Sequence, residues 1–230
     1  MKKEDILGII LARGGSKRLP GKNIAMVNGK PLLAYTCEAA LGSTLLTRTI
    51  LSTDSEEIAA VGRASGVEVP FLRDVGFALD DTSSMETVRH VLSELERREH
   101  YSPSVIVLLQ PTSPLRTSVH IDDAIRLFQK TAPDSVVSVT AMPYAHGPQM
   151  SMRIDGGKLL PAPQSVIPKE RVTYYALNGA VYVLTPVIVR SGGNAFGADS
   201  RALVMDAESS LDIDTPADLA LAEILVRQRD

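Results

Sequence analysis

The chain has 230 residues, enough for one domain with a large buried core or for a domain that carries a modest insertion. Hydrophobic residues make up 44% of it and aromatic residues only 4%, with no Trp, which favours an α/β core of Leu, Val, Ile and Ala. With 24 Lys and Arg against 27 Asp and Glu, the net charge of −3 excludes broad electrostatic attraction to nucleic acid or to an anionic membrane.

The cysteine content and the first residues indicate the compartment. Cys37 is the single cysteine, lies in an apolar helical stretch and has no disulfide partner, which fits a reducing environment. The apolar run that follows the charged first residues is only six residues long, too short for a signal sequence or a membrane span. We therefore predict a cytoplasmic protein.

Short apolar runs alternate with helical patterns along the chain. The spacing of apolar residues predicts helices around 88–95 and 121–128, and a last helix over 216–227 with Thr215 as its N-cap. Strands alternating with helices predict a three-layer α/β fold with a mostly parallel sheet. The runs typical of buried strands are at residues 6–11, 49–52, 105–109, 136–140 and 180–184.

Residues 142–173 interrupt this alternation, because they are rich in Pro and Gly and show little periodicity. We interpret them as an insertion in a single domain that spans residues 1–230, with a hairpin over 151–160 that turns at Asp155, Gly156 and Gly157. Apolar residues of the insertion cannot cover one another, so we expect it to form a homodimer contact: Met150, Met152, Ile154, Leu159 and Leu160.

The first strand leads into a loop with the sequence ARGGSKRLPGKN. Its glycines allow backbone N–H groups to approach phosphate oxygens, and its cations oppose phosphate charge: Arg13, Lys17, Arg18 and Lys22. The loop is not a Walker A motif, because Gly15 to Gly21 is one residue too long and Asn23 replaces the Ser or Thr that binds Mg²⁺. A polyphosphate site is favoured over a solvated basic turn.

Two acidic residues near the end of the chain form a candidate metal site. Asp212 and Asp214 are two residues apart on a predicted strand, so both project from one face. Mg²⁺ prefers few carboxylates together with waters and substrate phosphates, which this pair offers beside a nucleotide. The alternative is that Asp214 starts the final helix and Asp212 is solvated.

Two further stretches are candidates for ligand contact, and the first, LQPTSPLR, lies at the carboxyl end of a predicted strand, where open parallel sheets bind ligands. LQPTSPLR breaks an apolar strand at Gln110, although it is also compatible with a Pro-rigidified turn in which Arg116 caps a helix. The segment 72–84 precedes a helix that has an N-cap hydroxyl and Glu86 in its first turn.

Five motifs in order, ARGGSKRLPGKN, GKPLLAYT, STDSEEIA, LQPTSPLR and LDIDTPADL, resemble those of the acylneuraminate (CMP-sialic acid) cytidylyltransferases, relatives of the 3-deoxy-manno-octulosonate cytidylyltransferases. The resemblance spans nearly the whole chain. It implies a Rossmann-like nucleotidyltransferase fold, a homodimer, and Mg²⁺-dependent reaction of CTP with an acidic nine-carbon sugar, which gives the CMP-sugar and pyrophosphate.

The resemblance also assigns site residues. The expected catalytic residues are Arg13, Lys17, Lys22, Asp212 and Asp214, the two acids being the metal ligands. The expected nucleotide contacts are Leu11, Ala12, Arg13, Gly14, Gly15, Ser16, Lys22, Asn23, Arg73, Ala78 and Ser84. The expected sugar contacts are Gln110, Thr112, Ser113, Arg116, Asn178, Gly179, Phe196 and Arg171.

The sequence departs from the family at one place that concerns the acceptor. Relatives that use N-acetylneuraminate carry an Arg-Arg-Gln stretch in the insertion, whereas residues 166–171 here read VIPKER, with Lys169 or Arg171 as substitutes. The identity of the acid sugar therefore stays open. Two alternatives also stay open: a CTP-dependent transferase for another acceptor, such as an octulosonate, and a catalytically silent nucleotide-binding scaffold.

Overall fold

The computed structural model describes residues 4–79, 82–162 and 172–229. The strands are β1 (Ile6–Leu11), β2 (Met26–Val27), β3 (Lys30–Pro31), β4 (Arg48–Ser52), β5 (Val105–Leu109), β6 (Ser135–Ala141), β7 (Met152–Asp155), β8 (Lys158–Pro161), β9 (Tyr175–Leu184) and β10 (Ser200–Met205). The helices are α1 (Leu32–Leu41), α2 (Glu56–Ala64), α3 (Ser84–Glu99), α4 (Ser118–Thr131), α5 (Pro186–Arg190) and α6 (Pro216–Arg229).

Six strands form the central sheet in the order β10-β6-β9-β5-β1-β4. All neighbours pair in parallel except β9, which is antiparallel to both β5 and β6. The predicted mostly parallel sheet is therefore confirmed. Because β9 runs in the opposite direction, its first residues lie at the edge of the sheet where the other strands end.

Helices cover both faces of the sheet and make the three predicted layers. Side chains of α1, α2 and α4 share one buried cluster with one face, and side chains of α3 and α5 share another with the opposite face. Along β1, Ile6 and Ile10 point into the first cluster while Leu7 and Ile9 point into the second. Burial on both faces explains why this strand is an unbroken apolar run.

The final helix packs away from the sheet, against the small β2–β3 hairpin. Val27 and Leu32 contribute to this third cluster together with Ala222 and Val226 of α6, and Ile213 inserts into it as well. Thr215 and Asp218 cap the helix reciprocally: the Asp218 carboxylate accepts from the Thr215 amide at 2.7 Å, and Thr215 Oγ1 accepts from the Asp218 amide at 3.3 Å. The packing fixes the segment just before the helix.

Two features differ from the predicted elements. β10 was not predicted, because it is an edge strand whose side chains are largely exposed and leave only a weak apolar pattern. Residues 211–214 lie outside the strands and helices, so the prediction of a strand at Asp212 and Asp214 was wrong. The segment is held by Ile213, whose side chain is buried.

The predicted hairpin of the insertion is present as β7 and β8, which pair in antiparallel register. Gly156 and Gly157 turn it with φ of 54° and 79°, a conformation that needs glycine. Its apolar side chains project outward, with Ile154 77% and Leu159 65% exposed. No helix in the described part of the chain is long and apolar enough to cross a membrane.

Candidate active site

A cleft of about 290 Å³ opens at the carboxyl ends of β1 and β5. Open parallel sheets bind ligands at this edge, because the chain leaves the strands there in loops that diverge. The cleft is lined by Leu11, Arg13, Ser16, Lys22, Asn23, Arg73, Phe77, Leu79, Thr82, Ser84, Thr87, Gln110, Pro111 and Thr112.

The cationic loop after β1 forms one wall and is fixed at two points. The Gly14 amide donates to Asp54 Oδ1 at 3.0 Å, and the side-chain amide of Asn23 donates to the Arg13 carbonyl at 2.9 Å. Asn23 Oδ1 is buried beside the cleft with no partner among the described residues. Gly21 has a φ of 66°, which lets the loop turn back so that Lys22 faces the cleft.

Lys22 joins this loop to the acidic segment from the far end of the chain. Its ammonium donates to Asp214 Oδ1 at 2.9 Å and to the Ile213 carbonyl at 2.8 Å, and Arg18 donates to Asp214 Oδ2 at 2.8 Å. The hydrogen bond from Lys22 lowers the pKa of Asp214. The loop and the acids therefore share one edge of the cleft.

Asp212 lies in a different environment from Asp214. Although the side chain reaches solvent, partial burial among neighbouring groups raises the pKa of Asp212, and the nearby Asp214 carboxylate raises it further. A hydrogen bond from Thr112 opposes this rise. The Ile213 amide donates to the Thr112 carbonyl at 2.9 Å, which anchors the acidic pair to the floor of the cleft.

The donor set at this edge fits Mg²⁺. Two carboxylates lie beside a cleft lined with cations, and no cluster of three or more metal-ligating His, Cys, Asp or Glu side chains exists among residues 4–79, 82–162 and 172–229. Mg²⁺ keeps several waters and binds through one or two carboxylates plus substrate phosphates, so it needs no third acid. Asp212, which is not bound by Lys22 or Arg18, is the more available of the two.

The opposite wall is formed by the segment before α3. Arg73 is 5% exposed and its guanidinium lies 3.5 Å from Asp54 Oδ1, while burial lowers the pKa of Arg73 against the attraction of Asp54. Ser84 is the first residue of α3, whose N-cap is Ser83 in a capping box with Glu86. The predicted nucleotide contacts Arg73 and Ser84 thus both line the cleft.

Several lining residues were not predicted. Phe77 and Leu79 give this wall an apolar surface, and the Phe77 ring stacks on His90 with centroids 4.0 Å apart. Asp54 was also missed, although it ties the Gly14 amide to Arg73. The motif STDSEEIA contained the signal for Asp54, because its acid follows directly on a buried strand at the ligand-binding edge.

The remaining predicted nucleotide and catalytic residues of the loop, and Ala78 in the segment before α3, do not line the cleft. Ala12 is buried and its amide donates to the Ser52 carbonyl at 3.1 Å, so it supports the base of the loop. Gly15 has open space around it, and Lys17 is exposed. Ala78 ends the short 3-10 turn that carries Phe77.

The predicted sugar contacts separate into two groups. Gln110 and Thr112 line the cleft, whereas Ser113 and Arg116 are buried beneath it. Gly179 lies against Gln110, because a Cβ added to this glycine would sit 2.8 Å from Gln110 Oε1. Of the expected sugar contacts that the structure describes, Gln110 and Thr112 are the two that line the cleft.

Asn178 supports the site from within the protein. It is 5% exposed, accepts from Ser138 Oγ at 2.6 Å and donates to Ser210 Oγ at 2.9 Å. Ser210 directly precedes the segment that carries Asp212. Asn178, an expected sugar contact, thus links β9 to the acidic segment in this structure.

Phe196 is not brought to the cleft. The next residue, Gly197, packs on Asp134, which precedes β6, and Ser200 is in register with Ser135 at the start of that strand. This is the edge of the sheet opposite the cleft, so a contact of Phe196 with the sugar in the same chain is excluded. Arg171 and Lys169 lie outside the described residues.

A mostly parallel sheet in an α/β fold, with a cationic loop and an acidic pair at its carboxyl edge, is typical of a nucleotide-binding protein of the nucleotidyltransferase class. A solved structure of CMP:2-keto-3-deoxy-manno-octonic acid synthetase complexed with CTP has the same fold, with a TM-score of 0.78 and 17% identity, and the match covers 99% of this chain and 100% of that one.

Comparison with known sequences identifies the family. The cytidylyltransferase family model matches residues 7–149. A CMP-N,N'-diacetyllegionaminic acid synthase of Legionella pneumophila is 38% identical over 226 residues, which cover 96% of each chain. An N-acylneuraminate cytidylyltransferase of Escherichia coli O18:K1:H7 is 38% identical over 229 residues, which cover 97% of this chain and 52% of that protein. The chain belongs to the cytidylyltransferase family, and the resemblance seen in its motifs is confirmed.

Proposed function

We propose that the protein transfers CMP from CTP to an acidic nine-carbon sugar of the sialic-acid type and releases pyrophosphate. The observation that carries this proposal is the contact of Lys22 with Asp214, which joins the cationic loop to the acidic pair at one edge of the cleft. The two relatives at 38% identity are named for legionaminic acid and for N-acylneuraminate, both sugars of this class.

The chain's own groups account for placement and charge neutralisation, the main demands of phosphoryl-type transfer. Arg13 and Lys22, which line the cleft, offset the charge of the triphosphate. The anomeric hydroxyl attacks the α-phosphorus in line and a P–O bond forms, while the bond from the α-phosphorus to the oxygen that bridges to the β-phosphate breaks. Pyrophosphate leaves with that oxygen, and the hydroxyl proton is released to solvent. Asp212 and Asp214 would hold Mg²⁺, which, when bound, neutralises phosphate charge and lowers the pKa of the hydroxyl.

The walls of the cleft suggest how the two substrates are placed. Arg73, Phe77 and Ser84 form the side for the nucleoside, since they line the cleft and combine an apolar ring with polar groups. Gln110 and Thr112 form the side for the acceptor, close to Asp212. An octulosonate acceptor has weaker support, because the neighbour named for that sugar shares only 17% identity.

We also propose a homodimer formed through the insertion. Exposed apolar residues cluster there, including Met152 at 50% and Ile154 at 77% exposure, and an isolated two-stranded hairpin is marginal alone. Sedimentation at micromolar protein should give a dimer, and Ile154→Asp should give a monomer. A wild-type monomer would contradict this proposal without affecting the proposed reaction.

The experiment that tests the proposed reaction is a coupled pyrophosphate assay. CTP is combined with N,N'-diacetyllegionaminate, N-acetylneuraminate or an octulosonate, with Mg²⁺ present or removed by EDTA. We expect pyrophosphate with CTP and a nonulosonate only, and none after chelation. Activity with the octulosonate alone would support the other acceptor class, and no pyrophosphate with any acceptor would support a silent scaffold.

A further inference from the structure

Arg116 is a buried cation beneath the acceptor side of the cleft. Its side chain is 2% exposed, and Nη1 donates to the Gln110 carbonyl at 2.9 Å and to the Ala180 carbonyl at 3.1 Å. Nε and Nη2 are buried and have no hydrogen-bond partner in the described part of the chain. No ion pair links Arg116 to a described carboxylate, and burial lowers the pKa of Arg116 to about 10.

Stability alone does not explain an arginine here. A buried charge with no carboxylate partner costs folding free energy, and apolar replacement of buried ions is often neutral or stabilising. Cys37, a buried thiol, lies near the guanidinium and carries no compensating charge. The presence of an arginine at this position is therefore best explained by the groups that it binds.

The two carbonyls that Arg116 binds lie where the β5–β9 pairing stops. The antiparallel register ends at Leu108 opposite Tyr182, and continuing it by two residues would place Gln110 opposite Ala180. The guanidinium binds both of these carbonyls in place of further strand pairing. The two chains can therefore separate at this point without leaving their carbonyls unsatisfied.

Both the main chain and the side chain of Gln110 are thus held in place. Arg116 fixes its main-chain carbonyl from below, and Gly179, at a φ of 72°, leaves room for its side chain, since a Cβ there would lie 2.8 Å from Oε1. A side chain placed with this precision at the lip of a cleft is typical of a ligand contact whose supporting groups are locked.

We propose that Arg116 is a positioning residue that sets Gln110 against the acidic acceptor without touching it. The inference rests on the proposed function, because it takes Gln110 to face the acceptor. It assigns Arg116 a role in acceptor affinity that is separate from the binding of CTP.

The test compares Arg116→Met, which removes the guanidinium group, with Arg116→Lys, which keeps a positive charge and one donor group. We expect Arg116→Met to raise the acceptor KM by about tenfold while the CTP KM changes less than about twofold, with Arg116→Lys between wild type and Met. Thermal melting and CTP binding show that each variant is folded.

A double-mutant cycle separates positioning from general loss of structure. In a Gln110→Ala background, Arg116→Met should have little further effect on the acceptor KM, because the side chain to be positioned is already gone. Additive effects, or equal changes in both KM values, would overturn the proposal. A wild-type enzyme that releases no pyrophosphate would instead reject the proposed function.

Gly179→Ala is a second way to displace the Gln110 side chain, for use if the Arg116→Met protein does not fold. The added methyl group would meet Gln110 Oε1, and alanine is strained at a φ of 72°. We expect the same selective rise in acceptor KM. An unchanged acceptor KM in a folded Gly179→Ala enzyme would contradict the placement of Gln110 and with it the role of Arg116.

Discussion

The nucleotide side and the acceptor side of the cleft are built in different ways. On the nucleotide side, polar groups reach the surface directly from short segments that follow β1 and β4, with Asp54 linking the two. On the acceptor side, only Gln110 and Thr112 line the cleft among the residues expected there, and Ser113, Arg116 and Asn178 support it from inside. Variants on the nucleotide side should therefore alter CTP binding. Variants of the buried residues behind the acceptor side should act by shifting the side chains that line the cleft.

The largest effect is expected where the two walls meet, at Asp212. Asp212→Asn should lower kcat by about 1,000-fold or more, because a metal held at the α-phosphate supplies several kcal/mol of transition-state stabilisation. CTP affinity should change only a few-fold, because Asp212 would contact CTP only through the metal. Pyrophosphate release and CTP titration measure the two quantities.

Asp199→Asn is the matched control for Asp212→Asn, since Asp199 is an acid with an exposed side chain that pairs with Arg201 and precedes β10 at the edge of the sheet opposite the cleft. It should leave kcat unchanged. An Asp212→Asn enzyme within a few-fold of wild type would show that the acidic pair is not the metal site.

Lys22→Met should have the next largest effect. It removes the cation that contacts both the acidic segment and the cleft, so kcat/KM for CTP should fall by about 100-fold, as for the loss of one charge-stabilising donor. Lys30→Met, which removes an exposed lysine paired with Glu38, is the control and should be near wild type. Equal losses in both variants would contradict a specific role for Lys22.

Phe77→Ala tests the apolar part of the nucleotide wall. Removing a ring that lines the cleft should raise the CTP KM by about fivefold to tenfold, with little change in kcat and in the acceptor KM. Val75→Ala is the control from the same turn, because Val75 is 68% exposed and does not line the cleft. A rise in the acceptor KM instead would reverse the proposed assignment of the walls.

The smallest predicted effects concern stability, and they have opposite signs in the acidic pair. The pKa of Asp212 is raised, so its ionisation costs stability as pH rises through that pKa, and Asp212→Asn should melt at the wild-type temperature or slightly higher at pH 7. That difference should shrink as pH falls through the raised pKa. Thermal melting as a function of pH measures it.

Asp214 should behave in the opposite way. Lys22 lowers its pKa, so its contribution is present at neutral pH and is lost as pH falls through that lowered pKa. Because Asp214 is 43% exposed, Asp214→Asn should cost about 1 kcal/mol or less at pH 7. If both variants shift the melting temperature in the same direction, the two environments are not distinct.

Sequence predicts the nucleotide half well because its signals are local. β1 and β5 have the predicted bounds, since burial on both faces leaves an uninterrupted apolar run. The cationic loop and the acidic pair were both expected in the catalytic site, and the structure brings Lys22 into contact with Asp214.

The acceptor half was harder to predict because its contacts are long-range. Nothing local distinguishes an exposed polar residue from one such as Asn178, whose partners Ser138 and Ser210 are distant in sequence. Phe196 was misplaced because the sequence does not reveal that β9 runs opposite to its neighbours. That reversal returns the chain to the far edge of the sheet before Phe196.

The direction of β9 has one more consequence, which concerns the insertion. The insertion leaves the sheet at Ala141 and rejoins it at Tyr175, which are paired with each other at the edge that holds the cleft. The hairpin is therefore connected to the sheet at the edge that holds the cleft. A second copy that covers its apolar side chains would lie on the same side of the sheet, so one reversed strand joins the proposed dimer contact to the proposed acceptor side.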